Sequence, residues 1–160
     1  MNILITAALT AQAHKLKQLF TEDATFIYAD QVEVPAFMNK ENKFVRIPEG
    51  SSTSFAHELL TLCLDLKVDY VYPLRREEII ALAEARQLFE EYNIKVVVPA
   101  KRIVEQRLPS ERINGNIIVY YNNQNLLTGR TGELEGKIET GVFVANPMDG
   151  ASDYYIFTAD

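Results

Sequence analysis

The sequence predicts an α/β protein, a three-layer body built on a mainly parallel sheet and followed by a β-rich C-terminal extension. Three observations predict it. Short apolar runs rich in β-branched residues alternate with amphipathic stretches as far as Pro109, the pattern of buried strands covered by helices. After Pro109 the helical spacing stops, and strand-like runs are separated by Asn- and Gly-rich turns. The length of 160 residues suits one domain with a sizeable core. Residues 1–109 are read as the body. Residues 110–160 are read as the extension, packed on the body or forming an oligomer interface.

The elements follow in order. NILIT (residues 2–6) is a short apolar strand. Leu9, His14, Leu16, Leu19 and Phe20 then recur at helical spacing, and ATFIYAD (24–30) is a second strand. KFVRIP (43–48) is a third, short or at an edge, and Pro35 and Pro48 bracket a polar loop. Ser51, Ser52 or Thr53 is expected to cap the next helix, whose apolar stripe is Phe55, Leu59, Leu62, Cys63 and Leu66. VDYVYP is a strand. REEIIALAEARQLFEEYN is a helix with Ile79, Ile80, Leu82, Ala83, Leu88 and Phe89 facing inward and Asn93 in the left-handed position at its end. IKVVVP is the next strand and AKRIVEQR a short helix. In the extension, NIIVYY, GVFVAN and DYYIFTAD read as strands, with a hairpin turn near Asn122–Gln124.

Composition narrows the function classes. The net charge of -6 repels phosphate backbones, so nucleic acid is not an expected partner. No apolar run approaches the roughly 18 residues of a membrane span, and the N-terminus lacks the basic start of a signal peptide. A cytoplasmic protein without membrane association is the expectation. One cysteine, Cys63, and two histidines, His14 and His57, on separate predicted helices give no disulfide, no metal spacing and no catalytic triad. Cys63 reads as a small core residue.

Ligands of open α/β sheets sit outside the carboxyl ends of the strands, where the strand order reverses. The first such turn, Thr6-Ala7-Ala8-Leu9-Thr10, has none of the glycines of a dinucleotide fingerprint. Ala7 is small enough for close packing. Thr6 and Thr10 either cap the helix, the simpler role, or donate to a ligand. Asp30 ends the second strand, where a ribose-binding acid would sit, although a turn residue is the simpler reading of it alone. Pro73 ends a later strand and leads into Leu74-Arg75-Arg76-Glu77-Glu78. The helix dipole explains Glu77 and Glu78, but arginines at a helix N-terminus oppose it. Arg75 and Arg76 therefore meet solvent, local carboxylates or a ligand anion. Tyr28 and Tyr72 are either core or a stacking surface. Arg130 in TGRTGE lies in a flexible turn or cradles an anion.

The residues from NILIT through FIYAD, VPAF, FVRIP and SFAHELLTLC to VDYVYPLRREEIIALAEARQLFEEYNIKVVVP resemble the Rossmann-like N-terminal pre-ATP-grasp domain of ATP-grasp enzymes of the carbamoyl-phosphate-synthase-like group. The resemblance spans about residues 1–105. It rests on Asp30, Pro35-Ala36, Pro48, Pro73, Glu78, the Leu82-Ala83, Arg86 and Phe89 spacing, and Asn93-Ile94-Lys95-Val96. It departs from the family in its glycine-free first turn and in Leu74-Arg75-Arg76 before Glu78. The resemblance implies a domain that packs beside the ATP-gripping lobes and bounds the substrate side of their site without performing the ligation. The residues after Pro109 leave no room for those lobes, so a free-standing, non-catalytic binding or partner domain is expected. Its partner would be a separate ATP-grasp chain or a second copy of this chain. The expected ligand site comprises Thr6, Ala7, Asp30, Pro73, Arg75, Arg76 and Glu78. No metal and no resident cofactor are expected, with ATP or another nucleotide left open as a small-molecule ligand. The competing reading is a small Rossmann-like nucleotide-binding protein or enzyme.

Overall fold

A computed structural model of the chain describes residues 1–20, 24–33, 43–122, 124–125, 140–145 and 154–160. Five strands form a parallel sheet: β1 (Asn2–Ile5), β2 (Thr25–Asp30), β3 (Lys43–Arg46), β4 (Tyr70–Tyr72) and β5 (Lys95–Val96), in the order β3-β2-β1-β4-β5. The order reverses between β1 and β4. Ile5 is level with Tyr28 on one side and Tyr72 on the other. Thr6, Asp30 and Pro73 therefore leave the sheet at the same end.

Alternation along β1 divides the core. Ile3 and Ile5 face α1 (Ala11–Lys17), which buries Ala13 and Leu16. Leu4 faces the other way, into the layer formed by α2 (Phe55–Asp65) and α3 (Arg76–Glu90). This is the Rossmann-like three-layer arrangement. A short α4 (Lys101–Arg107) follows β5.

The C-terminal part forms an antiparallel sheet in the order β7-β6-β8-β9, from β6 (Asn116–Tyr121), β7 (Gln124–Asn125), β8 (Gly141–Ala145) and β9 (Tyr154–Ile156). Tyr120, Phe143 and Ile156 join one apolar cluster of the body, and Val119, Val142 and Phe157 join the other. β6 and β7 pair antiparallel with Tyr121 level with Gln124, consistent with the turn expected near Asn122–Gln124, and Asn123 itself lies outside the described residues. Pro35, Ala36 and Arg130 also lie outside them.

Several local expectations hold. Asn93 is left-handed (φ 59), and the Ile94 N–H closes the end of α3 on the Phe89 carbonyl at 3.1 Å. Thr10 caps α1, accepting from Ala13 N–H at 3.3 Å. Others are corrected. The N-cap of α2 is Ser54, and its hydroxyl donates to the Glu58 side chain rather than capping backbone. Ile80 is 45% exposed. It sits about 100° around the helix from Ile79, and with Ala83, Val104 and Leu108 it lines a small groove between α3 and α4. Leu9 precedes α1 and is exposed.

Candidate functional site

The loop after β1 needs a tight reversal so that Ala8 N–H can reach the Ala29 carbonyl at 3.1 Å and Thr10 N–H the Ala7 carbonyl at 2.9 Å. Ala7 supplies it at φ 49, in the left-handed region that glycine occupies without strain. The glycine-free turn thus adopts the glycine conformation. Thr6, fully buried, does not cap a helix. Its hydroxyl accepts from Leu74 N–H at 2.8 Å and donates to the Glu78 carboxylate in a short hydrogen bond.

Glu78 is 0% exposed. Besides Thr6, it accepts from Arg75 N–H at 3.3 Å and from the Gln31 amide at 3.4 Å. Arg75 is the N-cap residue of α3. Since a guanidinium has no acceptor, only the glutamate half of a capping box forms here. The Arg75 side chain turns instead toward Asp30. Its Nη2 donates to Oδ1 at 2.9 Å, and Nε lies 3.8 Å from Glu78 Oε1. Asp30 also accepts from Gln31 N–H at 2.8 Å and from Leu9 N–H at 3.0 Å. Among the described residues, Arg75 Nε is buried without a hydrogen-bond partner.

Burial pushes the Glu78 carboxyl above its ordinary value. The Thr6 hydroxyl, the Arg75 N–H and the Arg75 charge pull it back, and the Asp30 charge adds to the rise. The folded state therefore holds the Glu78 proton more tightly than the unfolded chain does. The stability this contributes is complete below pH 4.5, the ordinary glutamate value, and is lost as pH rises through the folded value. Glu78→Gln cannot ionise. The difference in Tm between Glu78→Gln and the unmutated protein is expected to move in favour of the variant as pH rises from about 4.5 to neutrality. Thermal melts across that range check it, and a constant difference would contradict a raised Glu78.

Of the seven residues expected at a site, Thr6, Asp30, Arg75 and Glu78 form one connected network where the strand order reverses. Ala7 turns the backbone beside it, and Pro73 immediately precedes Leu74, whose N–H meets Thr6. Arg76 points away. Its Nη1 donates to the carbonyls of Pro109, at 3.2 Å, and Ser110, and its backbone N–H donates to Asp160 Oδ1 at 3.0 Å. Two residues that the sequence did not single out belong here. Gln31 links Glu78 to a cavity of about 360 Å³ lined also by Arg46, Pro48, Glu49 and Glu58. Gly50 packs against the backbone of Glu77 and Glu78. Gln31 carries no sequence signal. For Gly50, a glycine ahead of a serine-rich helix start was the available hint.

The remaining candidates fall into the core or onto the surface. Burial pushes the Cys63 thiol up to about 12 and raises the Tyr72 phenol well above its ordinary value. Tyr28 stacks between Phe26 and Phe44. His14 and His57 are exposed, and no metal-holding group of side chains occurs among the described residues. No helix among them is long and apolar enough to cross a membrane.

A family model described as the PylC-like N-terminal domain matches residues 3–97, more than half of the chain. The structure of glycinamide-RNase-transformylase T from Mycobacterium tuberculosis aligns over 99% of this chain and 70% of its own, with 14% identity and a TM-score of 0.47. No curated protein matches the chain.

Proposed function

The chain belongs to the PylC-like N-terminal domain family, a pre-ATP-grasp domain related to ATP-grasp enzymes, and from that premise we propose that it is a non-catalytic binding module. It holds a small molecule at the carboxyl ends of β1, β2 and β4, beside ATP-grasp lobes carried on the same polypeptide or on a separate one. One observation carries this reading. In the network at the strand reversal, Arg75 is the member that reaches solvent, with 26% of its side chain exposed against 1% for Asp30 and 0% for Glu78.

The carboxylates already accept from protein donors, whereas a guanidinium offers five N–H groups in a fixed fork. The chemistry presented outward is thus a set of donors held in place by two buried acids, suited to a ligand oxygen. Thr6 and Glu78 are paired as a hydroxyl and a base, which would suggest a nucleophile. Both are fully buried, and Leu74 N–H takes the hydroxyl from the other side, so a substrate has no approach to them. This argues for binding over catalysis.

A thermal-shift panel tests the reading, with ATP, ADP, AMP, NAD(H), NADP(H), CoA and small carboxylates, each with and without magnesium. A ligand at 100 times its dissociation constant stabilises by about 2.7 kcal/mol, which is about 5–10 °C in a domain of this size. Arg75→Lys keeps the charge but loses the fork, and is expected to weaken the ligand so found by tenfold or more. Equal affinity in the variant would overturn Arg75 as the ligand-facing group.

A further inference from the structure

Two segments of the chain's own extension close over the same strand ends. Pro109 and Ser110 accept from the Arg76 guanidinium at the start of α3. Two residues further on, Arg112 reaches α1. Its Nε and Nη1 lie 3.3 and 3.2 Å from the Gln12 amide oxygen, once that buried amide is oriented to accept from a group that has only donors. Residues 109–112 therefore run from the first turn of α3 to the first turn of α1, across the reversal between β4 and β1. The second segment leaves β9, with Phe157 N–H on the Val142 carbonyl at 2.9 Å. It then lies on the loop after β4, with Ala159 N–H on the Leu74 carbonyl at 2.6 Å. It ends with the Asp160 carboxylate on the Arg76 backbone N–H at 3.0 Å and 3.9 Å from Arg76 Nε.

We propose that residues 109–112 and 157–160 are a two-part strap over the ligand crevice, and that a ligand carrying an oxyanion, carboxylate or phosphate, displaces its Asp160 end. This rests on the binding reading above and adds how the crevice opens. The strap meets Arg76 and the start of α3 through oxygen atoms alone: two carbonyls and a carboxylate. Those are the acceptors an oxyanion would bring to an arginine and a helix N-terminus. The hold is light. The Arg76 and Asp160 side chains are 34% and 39% exposed, and exposed ion pairs contribute little. Phe157 and Thr158 are buried and Arg112 holds the buried Gln12 amide, so the part of the strap that can move is its Asp160 end.

Calorimetric titrations of the full chain with inorganic phosphate, and separately with acetate, test the strap in the unmutated protein, Asp160→Ala and Arg76→Ala. Amide exchange at Ala159 is the second readout. Removing the competing carboxylate is expected to tighten phosphate binding about three- to tenfold. Arg76→Ala is expected to weaken it at least tenfold. Phosphate added to the unmutated protein is expected to speed exchange at Ala159. The same pattern with acetate in place of phosphate also supports the strap and identifies a carboxylate as the ligand group. Equal phosphate and acetate affinities in Asp160→Ala and the unmutated protein overturn it, as does the absence of binding of either anion to both. Those results leave the Arg75 reading standing, because that reading is decided by Arg75→Lys. Asp160→Asn, which keeps the shape of the side chain, repeats the comparison if Asp160→Ala folds poorly.

Discussion

Asp30→Ala is expected to destabilise the protein by about 3–5 kcal/mol, the usual loss when one partner of a buried ion pair is removed, and to lower Tm by about 10 °C. Asp30 is 1% exposed and holds three donors from three places: Leu9 N–H after β1, its neighbour Gln31 N–H, and Arg75 Nη2 at the start of α3. Among the described residues, alanine leaves the partly exposed Arg75 guanidinium with the Glu78 oxygen 3.8 Å from Nε as its remaining carboxylate, and it strands two backbone N–H groups. Asp30→Asn retains acceptor oxygen for those N–H groups and should lose roughly half as much. Thermal and denaturant melts of the two variants check this. A loss below about 1 kcal/mol for Asp30→Ala would mean that the pair behaves as a surface salt bridge and does not organise the strand ends.

Gly50→Ala is the second large effect, a loss of about 1–3 kcal/mol from overpacking. A Cβ at Gly50 would stand 2.5 Å from the Glu78 backbone nitrogen and 2.7 Å from the Glu77 carbonyl carbon. Both are helix backbone and cannot rotate away. The loop before α2 must back off, or the first turn of α3 must shift. Either movement disturbs the turn that aims Arg75 and Glu78, so ligand affinity should fall together with stability. Melting gives the first quantity and titration with the ligand from the panel the second. A variant as stable as the unmutated protein would show that the loop has room to yield.

The body was legible in the sequence because its signals are local. Apolar runs of strand length, stripes of helical period, Thr10 at the start of α1 and Asn93 at the end of α3 each depend on a few neighbouring residues. The side-chain network at the strand ends was legible in part for the same reason. Asp30 and Arg75 stand at strand ends, and strand ends converge in a parallel sheet. What bound them together was not legible. Asp30 and Arg75 are 45 residues apart and meet only because the sheet places β2 and β4 on either side of β1. Glu78 followed the rule for acids in a first helical turn, which holds equally for an exposed and a buried acid, so its complete burial gave no sequence signal. The first turn lacks the glycines of a dinucleotide fingerprint, which gives no hint of a left-handed residue there, yet the fold holds Ala7 in the left-handed region all the same. Arg76 looked equivalent to Arg75. One position along a helix turns a side chain by about 100°, and that rotation separates the network residue from the strap residue. The strap contacts join Arg76 to Ser110 and Asp160, 34 and 84 residues away, beyond any reading of local pattern.

The most direct measurement is an amide chemical-shift map of the full chain, titrated with the strongest ligand from the thermal-shift panel. A ligand seated on Arg75 is expected to move the amides of Leu9, Gln31 and Arg75 first, since these donate to Asp30 and Glu78. In Arg75→Lys the same shifts should require at least about tenfold more ligand. Shifts confined to another surface, such as the groove between α3 and α4 that Ile80 and Leu108 line, would contradict a binding site at the strand ends.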